Sequence, residues 1–116
     1  MSEGRRDTDF LADILEAVDR ILTYTVGMTE IEFLNHKLIQ DAVIRNIEVI
    51  GEVTKNTSES FRQQHSEIPW KDLAGVRDKL IHHYFGINLE IVWQIIQYDL
   101  PRLRPQIEEL LSPPNR

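Results

Sequence analysis

A chain of 116 residues and 13.6 kDa makes at most one domain, and 41% hydrophobic with 28% charged residues makes it globular rather than disordered or fibrous. Nineteen Asp and Glu against thirteen Lys and Arg leave a formal charge of -6, which excludes a broadly basic nucleic-acid binder but not a local basic site. Without cysteine there is no disulfide framework, Cys-based zinc site or thiol nucleophile. No apolar run nears the roughly 18 residues that span a bilayer. The start, Met1-Ser2-Glu3-Gly4-Arg5-Arg6, leads into acidic residues rather than a signal-peptide apolar region. These features predict a cytoplasmic single domain over residues 1–116, with an ordered core at about 8–111, a frayed tail at 112–116 and no membrane partner.

Hydrophobic residues recur with helical period almost end to end, and no convincing alternating strand occurs. The first helix is expected from Asp7 or Thr8, with a broad apolar stripe through Phe10, Leu11, Ile14, Leu15, Val18, Ile21 and Leu22, ending between Tyr24 and Gly27. Thr29 and Glu32 have the spacing of a capping box and open a short helical turn. A long helix follows from about His36 to Lys55. Leu38, Ile39, Ala42, Val43, Ile44, Ile47, Val49, Ile50 and Val53 cover most of its circumference, leaving Asp41, Arg45, Glu48, Glu52 and Lys55 as the polar stripe. Such a helix is either the centre of a bundle or shares a face with a partner chain. Gly51 within it costs about 1 kcal/mol relative to Ala, which points to close approach of another backbone.

Asn56-Thr57-Ser58 is a break, and Ser58 caps a short polar segment reaching about His65. Pro69 is expected at the first position of the next helix, which holds Trp70, Leu73, Val76, Leu80 and Ile81 and stops before Gly86, a left-handed terminator. Asn88 caps a last helix with Leu89, Ile91, Val92, Trp93, Ile95, Ile96 and Leu100. Pro101 and Pro105 each remove a backbone donor, so a kink is expected near Asp99, with helix resuming to about Leu111. The class is all-α, an up-and-down helical bundle of four main helices plus short ones.

Most familiar sites are missing: no Gly-rich phosphate loop, H-E-x-x-H or G-x-S-x-G occurs. His36 and His65 sit near helix ends in polar surroundings and read as ordinary solvent-facing residues, and Trp70 and Trp93 read as packing residues. The informative stretch runs from Trp70 to Gly86. Within it Arg77, His82 and Tyr84 supply a guanidinium, an imidazole and a phenol. These suit RNA cleavage without metal. Imidazole, with an unperturbed pKa of about 6.5, takes a proton from a 2′-hydroxyl or returns one to the leaving oxygen. Guanidinium holds two phosphate oxygens and favours the more charged transition state.

Helix geometry limits this reading. Arg77 and Tyr84 share a face of an ideal helix, whereas Arg77 and His82 lie about 140° apart. Both reach one phosphate only if the helix unwinds after Ile81, or if a two-fold dimer sets two copies of the segment across one cleft. Taken alone, the string is short and its residues are common, and it reads more readily as a helix C-terminus in which Arg and His complement the dipole and Tyr84-Phe85 is core. Likewise Arg45, Glu48 and Glu52 are either an ion-pair ladder or solvated face, or include a carboxylate that orients a catalytic Arg or His.

The combination is far more specific than its parts. Arg45-Asn46-Ile47-Glu48-Val49-Ile50-Gly51-Glu52, then Ile68-Pro69-Trp70, then Arg77-x4-His82-x-Tyr84-Phe85-Gly86, then Leu89-x2-Val92-Trp93, resembles the HepT family over about residues 8–111. These are HEPN-domain ribonuclease toxins of prokaryotic toxin–antitoxin pairs. The resemblance implies a HEPN bundle that forms a homodimer with its cleft between protomers, and a metal-independent, cofactor-free endoribonuclease using Arg77 and His82. It also implies an MntA-like minimal nucleotidyltransferase antitoxin that transfers AMP to Tyr84. The position between the motif His and Tyr is often Gly in relatives and is His83 here. By motif position His82 acts, with His83 a helper or a bystander. An RNA enzyme of charge -6 must concentrate its positive potential at Arg77, Lys79 and Arg45, which predicts weak, salt-sensitive RNA binding. The other reading of the same motif is a non-catalytic HEPN binding partner of a nucleotidyltransferase.

Overall fold

A computed structural model of the chain describes residues 6–80 and 86–112. The first helix, α1, spans Asp7–Thr25. Its Leu11, Ile14, Val18 and Ile21 are wholly buried at helical spacing, and its partner is the long helix α3, Lys37–Asn56, which presents Val43, Ile47 and Ile50. Between them α2, Glu30–Leu34, is closed by the expected box. Thr29 Oγ1 accepts from the Glu32 N–H at 3.1 Å, and Glu32 returns a carboxylate to the Thr29 N–H at 2.9 Å. From this turn Phe33 plugs into the core against Trp93, with ring centroids 5.4 Å apart.

Ser58 caps α4, Glu59–Gln64, by accepting from the Phe61 N–H, and its own N–H and hydroxyl both bind the Asp7 carboxylate. The far end of α3 is thereby fastened to the start of α1. His36 is exposed as expected but also caps α3, its Nδ1 accepting from the Ile39 N–H. His65 departs from expectation. It is half-buried, its ring tilted against that of Phe61 with centroids 4.5 Å apart, and its carbonyl takes the Trp70 indole N–H at 2.9 Å. Both tryptophans are buried packing residues.

The helix expected from Pro69 is instead two short ones, α5 (Trp70–Ala74) and α6 (Val76–Leu80), and Pro69 precedes α5 rather than opening it. The break falls at Gly75, whose N–H turns back to the Leu73 and Lys71 carbonyls. A glycine stabilises helix poorly, and this one marks the place where the chain bends to lie on α3.

After Gly86, which takes the left-handed φ of +86° expected of it, Asn88 caps α7 (Leu89–Gln94) by accepting from the Glu90 and Ile91 N–H groups. The kink expected near Asp99 takes the form of a wide π turn over Ile95–Asp99, in which the Leu100 N–H reaches five residues back to Ile95. Pro101 has no N–H to continue the ladder, and its ring would press on the carbonyl four residues earlier, so the turn before it widens. Helix α8, Leu100–Leu111, then returns along α1, where Arg104 binds Asp19 and Glu108. The Asp19 hydrogen bond, then its charge, raise the affinity of that guanidinium for its proton.

The all-α bundle expected from sequence is thus present. Its central helix is α3, lined by α1, α2, α5 and α6, which accounts for most of its apolar circumference without a partner chain. Leu38 is the exception, 74% exposed at the start of the helix. Among the described residues no helix is long and apolar enough to cross a membrane.

Candidate functional site

The polar stripe of α3 forms one wall of the site. Among the described residues it is a solvated face rather than a ladder: Asp41 pairs with Lys37, whereas Arg45 and Glu52 stand exposed with no ion pair. Glu48 reaches off the helix instead, and its Oε2 accepts from Arg77 Nε on α6 at 3.3 Å. The two residues are 29 positions apart, and only the docking of α6 on α3 brings them together.

A small residue at position 51 leaves room for that docking. One turn beyond Glu48, the position where a side chain would begin lies 3.5 Å from the Leu73 carbonyl oxygen and 3.7 Å from that of Ala74. The close backbone approach expected from sequence is therefore present, at the α5–α6 junction. These are ordinary van der Waals distances, so one methyl group fits. Gly51→Ala is expected to raise stability by up to about 1 kcal/mol through helix propensity, while Gly51→Leu lowers it by about 1–3 kcal/mol by forcing the junction outward. Urea unfolding of the two variants checks both signs.

The Arg77–Glu48 pair adds little to stability. The Arg77 side chain is 59% exposed and that of Glu48 37%, and pairs so open to solvent contribute about 0–1 kcal/mol. The carboxylate fixes where the guanidinium sits, binding one edge of the fork and leaving other N–H groups available.

Arg45 and Glu48 also line a groove of about 420 Å³ whose opposite wall is Gly86, Ile87 and Leu89. The Asn88 N–H donates to the Leu80 carbonyl at 2.9 Å, so the chain on either side of the motif segment is tied together at the end of α6. His82, His83 and Tyr84 lie outside the described residues, as does the end of the helix expected to include Ile81. The structure brings Arg77, Glu48 and Arg45 to one side of the molecule. The Glu52 side chain has no polar partner among the described residues, and Lys79 lines a separate cleft between α3, α5, α6 and the π turn. That cleft also holds Asp72, Asp99 and Arg102, three charged residues that sequence reasoning did not single out. The π turn required by Pro101 was the available signal for the last two. Among the described residues no cluster of His, Asp or Glu has the arrangement of a metal site.

Comparison with known proteins accords with this architecture. A family model described as ribonuclease HepT-like matches residues 14–110. A Methanocaldococcus jannaschii protein named as a candidate RNase is 51% identical over 103 residues, covering 89% of this chain and 85% of its own. A Thermococcus cleftensis protein named probable ribonuclease HepT is 42% identical over 106 residues, covering 91% and 96%. A candidate RNase of Caldanaerobacter subterraneus is 39% identical over 103 residues, covering 89% and 92%. No solved structure gives a significant match. The matched span takes in α3, α5, α6 and α7, which carry the site, and the chain belongs to the HepT-like ribonuclease family.

Proposed function

We propose that this protein is a metal-independent endoribonuclease toxin. The observation that carries the reading is Arg77, at the first position of the R-x4-H-x-Y motif, held through Nε by Glu48 with the rest of its fork unbound among the described residues, in a chain of the HepT-like family. Arg77 binds the phosphodiester and offsets the charge that grows on its oxygens. His82 takes the proton of the adjacent 2′-hydroxyl. That oxygen bonds to phosphorus, the bond to the 5′-oxygen breaks, and the leaving oxygen receives a proton, from His82 or from the second imidazole of the pair. The products are a 2′,3′-cyclic phosphate and a 5′-hydroxyl, and no metal is needed for the balance.

The cleft is completed in a homodimer, in which two copies of the motif segment face each other. Arg45 and Lys79 supply further positive potential, and His83 stands beside the acting imidazole. The cognate partner is an MntA-like minimal nucleotidyltransferase, and the pair works in the cytoplasm. In neutralisation the Tyr84 phenol oxygen bonds to the α-phosphorus of ATP, pyrophosphate leaves and the phenol proton is lost. The product carries a phosphate and a nucleoside where an RNA phosphate must sit.

The test combines the chain with an MntA-like nucleotidyltransferase and ATP. Intact mass is expected to rise by one AMP per modified tyrosine as RNA cleavage stops, and Tyr84→Phe is expected to escape both changes. Loss of cleavage with no mass change on Tyr84 would overturn this mode of neutralisation. A monomer by sedimentation at micromolar concentration would overturn the dimeric cleft.

A further inference from the structure

The charged stripe of α3 has an order that the mechanism above does not use. Asp41, Arg45, Glu48, Glu52 and Lys55 share about 80° of the helix circumference, and their signs run negative, positive, negative, negative, positive. Glu48 stands at the centre. Along the helix axis Arg45 lies about 4.5 Å before it and Glu52 about 6 Å after it, while Asp41 and Lys55 lie about 10.5 Å away on either side.

Turned end for end, this stripe meets its own complement. When two copies of α3 pack antiparallel about a two-fold axis at Glu48, Arg45 faces the partner's Glu52 and Asp41 faces the partner's Lys55, and symmetry makes each contact twice. Two parallel copies would set Arg45 on Arg45 and Glu52 on Glu52, which is repulsive. The one like-charged meeting in the antiparallel pair is Glu48 on Glu48, and each of these carboxylates already accepts from Arg77 at 3.3 Å.

The state of these groups within one chain is the second observation. The apolar sides of α3 are covered by α1, α2, α5 and α6, so the stripe is the face left over. On it Arg45, Glu52 and Lys55 are exposed and make no ion pair among the described residues, whereas Arg20, Lys37, Arg77 and Arg104 all find carboxylates. Leu38, 74% exposed, lies at the end of the same stripe, and a helix laid along it covers that apolar side chain.

We propose that the polar face of α3 is the contact between two copies of this chain, packed antiparallel with Arg45–Glu52 ion pairs on both sides of a two-fold axis at Glu48. The axis then passes beside both Glu48–Arg77 pairs, which sets the two copies of Arg77 about one cleft. Exposed ion pairs add little affinity, and their part here is to fix the direction and register of the packing. Arg45 spends one edge of its fork on the contact and keeps other N–H groups for the cleft. The proposal rests on the dimeric reading above and names the surface that the reading leaves open.

Sedimentation equilibrium of the full chain tests it, with the protein free of AMP by intact mass and no RNA present. Arg45→Glu and Glu52→Arg are each expected to weaken dimerisation by at least about tenfold, because each sets like charges opposite one another at two symmetric places. Both side chains are exposed, so neither change disturbs the core. The double variant restores the attraction with its signs exchanged, and its dimer Kd is expected to return to within about threefold of wild type. A wild-type dimer that neither single variant weakens would overturn this surface and leave the dimeric cleft standing. Weakened single variants with no recovery in the double variant would overturn the Arg45–Glu52 pairing. A monomeric wild type would overturn the interface and the dimeric reading together. A dimer with the expected pattern that cuts no RNA would uphold the interface and overturn the ribonuclease reading instead.

Discussion

His82→Ala is expected to slow RNA cleavage by about 10²–10⁴-fold, the range that a positioned general acid or base contributes. The effect should fall on kcat, because an imidazole acting on a proton in flight adds little to ground-state binding. His83→Ala is the informative companion, since the two imidazoles are adjacent in sequence. With His82 as the acting group, His83→Ala loses less than tenfold, and the pH–rate profile keeps its shape. Matched cleavage assays on the two variants decide between them. Full activity in His82→Ala would transfer the role to His83 or end the assignment.

Arg77→Ala is expected to cost about 10²–10³-fold in kcat, comparable to removing one preorganised donor from a developing oxyanion. Arg77→Lys should recover little of this, because an ammonium is a point charge without the planar fork that holds two phosphate oxygens. Glu48→Gln supplies the contrast that separates positioning from folding. The Glu48–Arg77 pair is too exposed to contribute more than about 1 kcal/mol, so urea unfolding should barely change. If Glu48 fixes the guanidinium, kcat falls while KM for RNA stays near the wild-type value. An unchanged kcat would make the pair a surface contact without a part in the reaction.

Features set by local chemistry were readable from the sequence. The Thr29–Glu32 box, the caps at Ser58 and Asn88 and the left-handed Gly86 each depend on side chains acting within a few residues, and each stands as expected. The apolar circumference of α3 correctly indicated a helix enclosed on several sides. The Gly51 contact was legible for a related reason, since a helix position that gives up propensity gains something in packing.

What the sequence hid depends on tertiary approach. Gly75 divides the expected helix into α5 and α6, because tight packing on α3 overrides the hydrophobic period that runs through it. The partner of Glu48 was one of several cations until α6 was seen against α3. Asp99 and Arg102 carry no motif at all, and only the π turn sets them around one cleft with Asp72 and Lys79. His65 looked solvent-facing because its neighbours in sequence are polar, while Phe61 and Trp70 shield it in space. His82, His83 and Tyr84 were singled out by the motif and its resemblance to HepT ribonucleases, and their roles await the variants above.

The most direct measurement is RNA cleavage in EDTA by the purified chain, with intact mass confirming that Tyr84 carries no AMP. The account predicts cuts in single-stranded RNA that leave 2′,3′-cyclic phosphate ends and vanish in Arg77→Ala and His82→Ala. A folded, unmodified chain that leaves every RNA intact would contradict it, and would make the motif a binding surface for a nucleotidyltransferase.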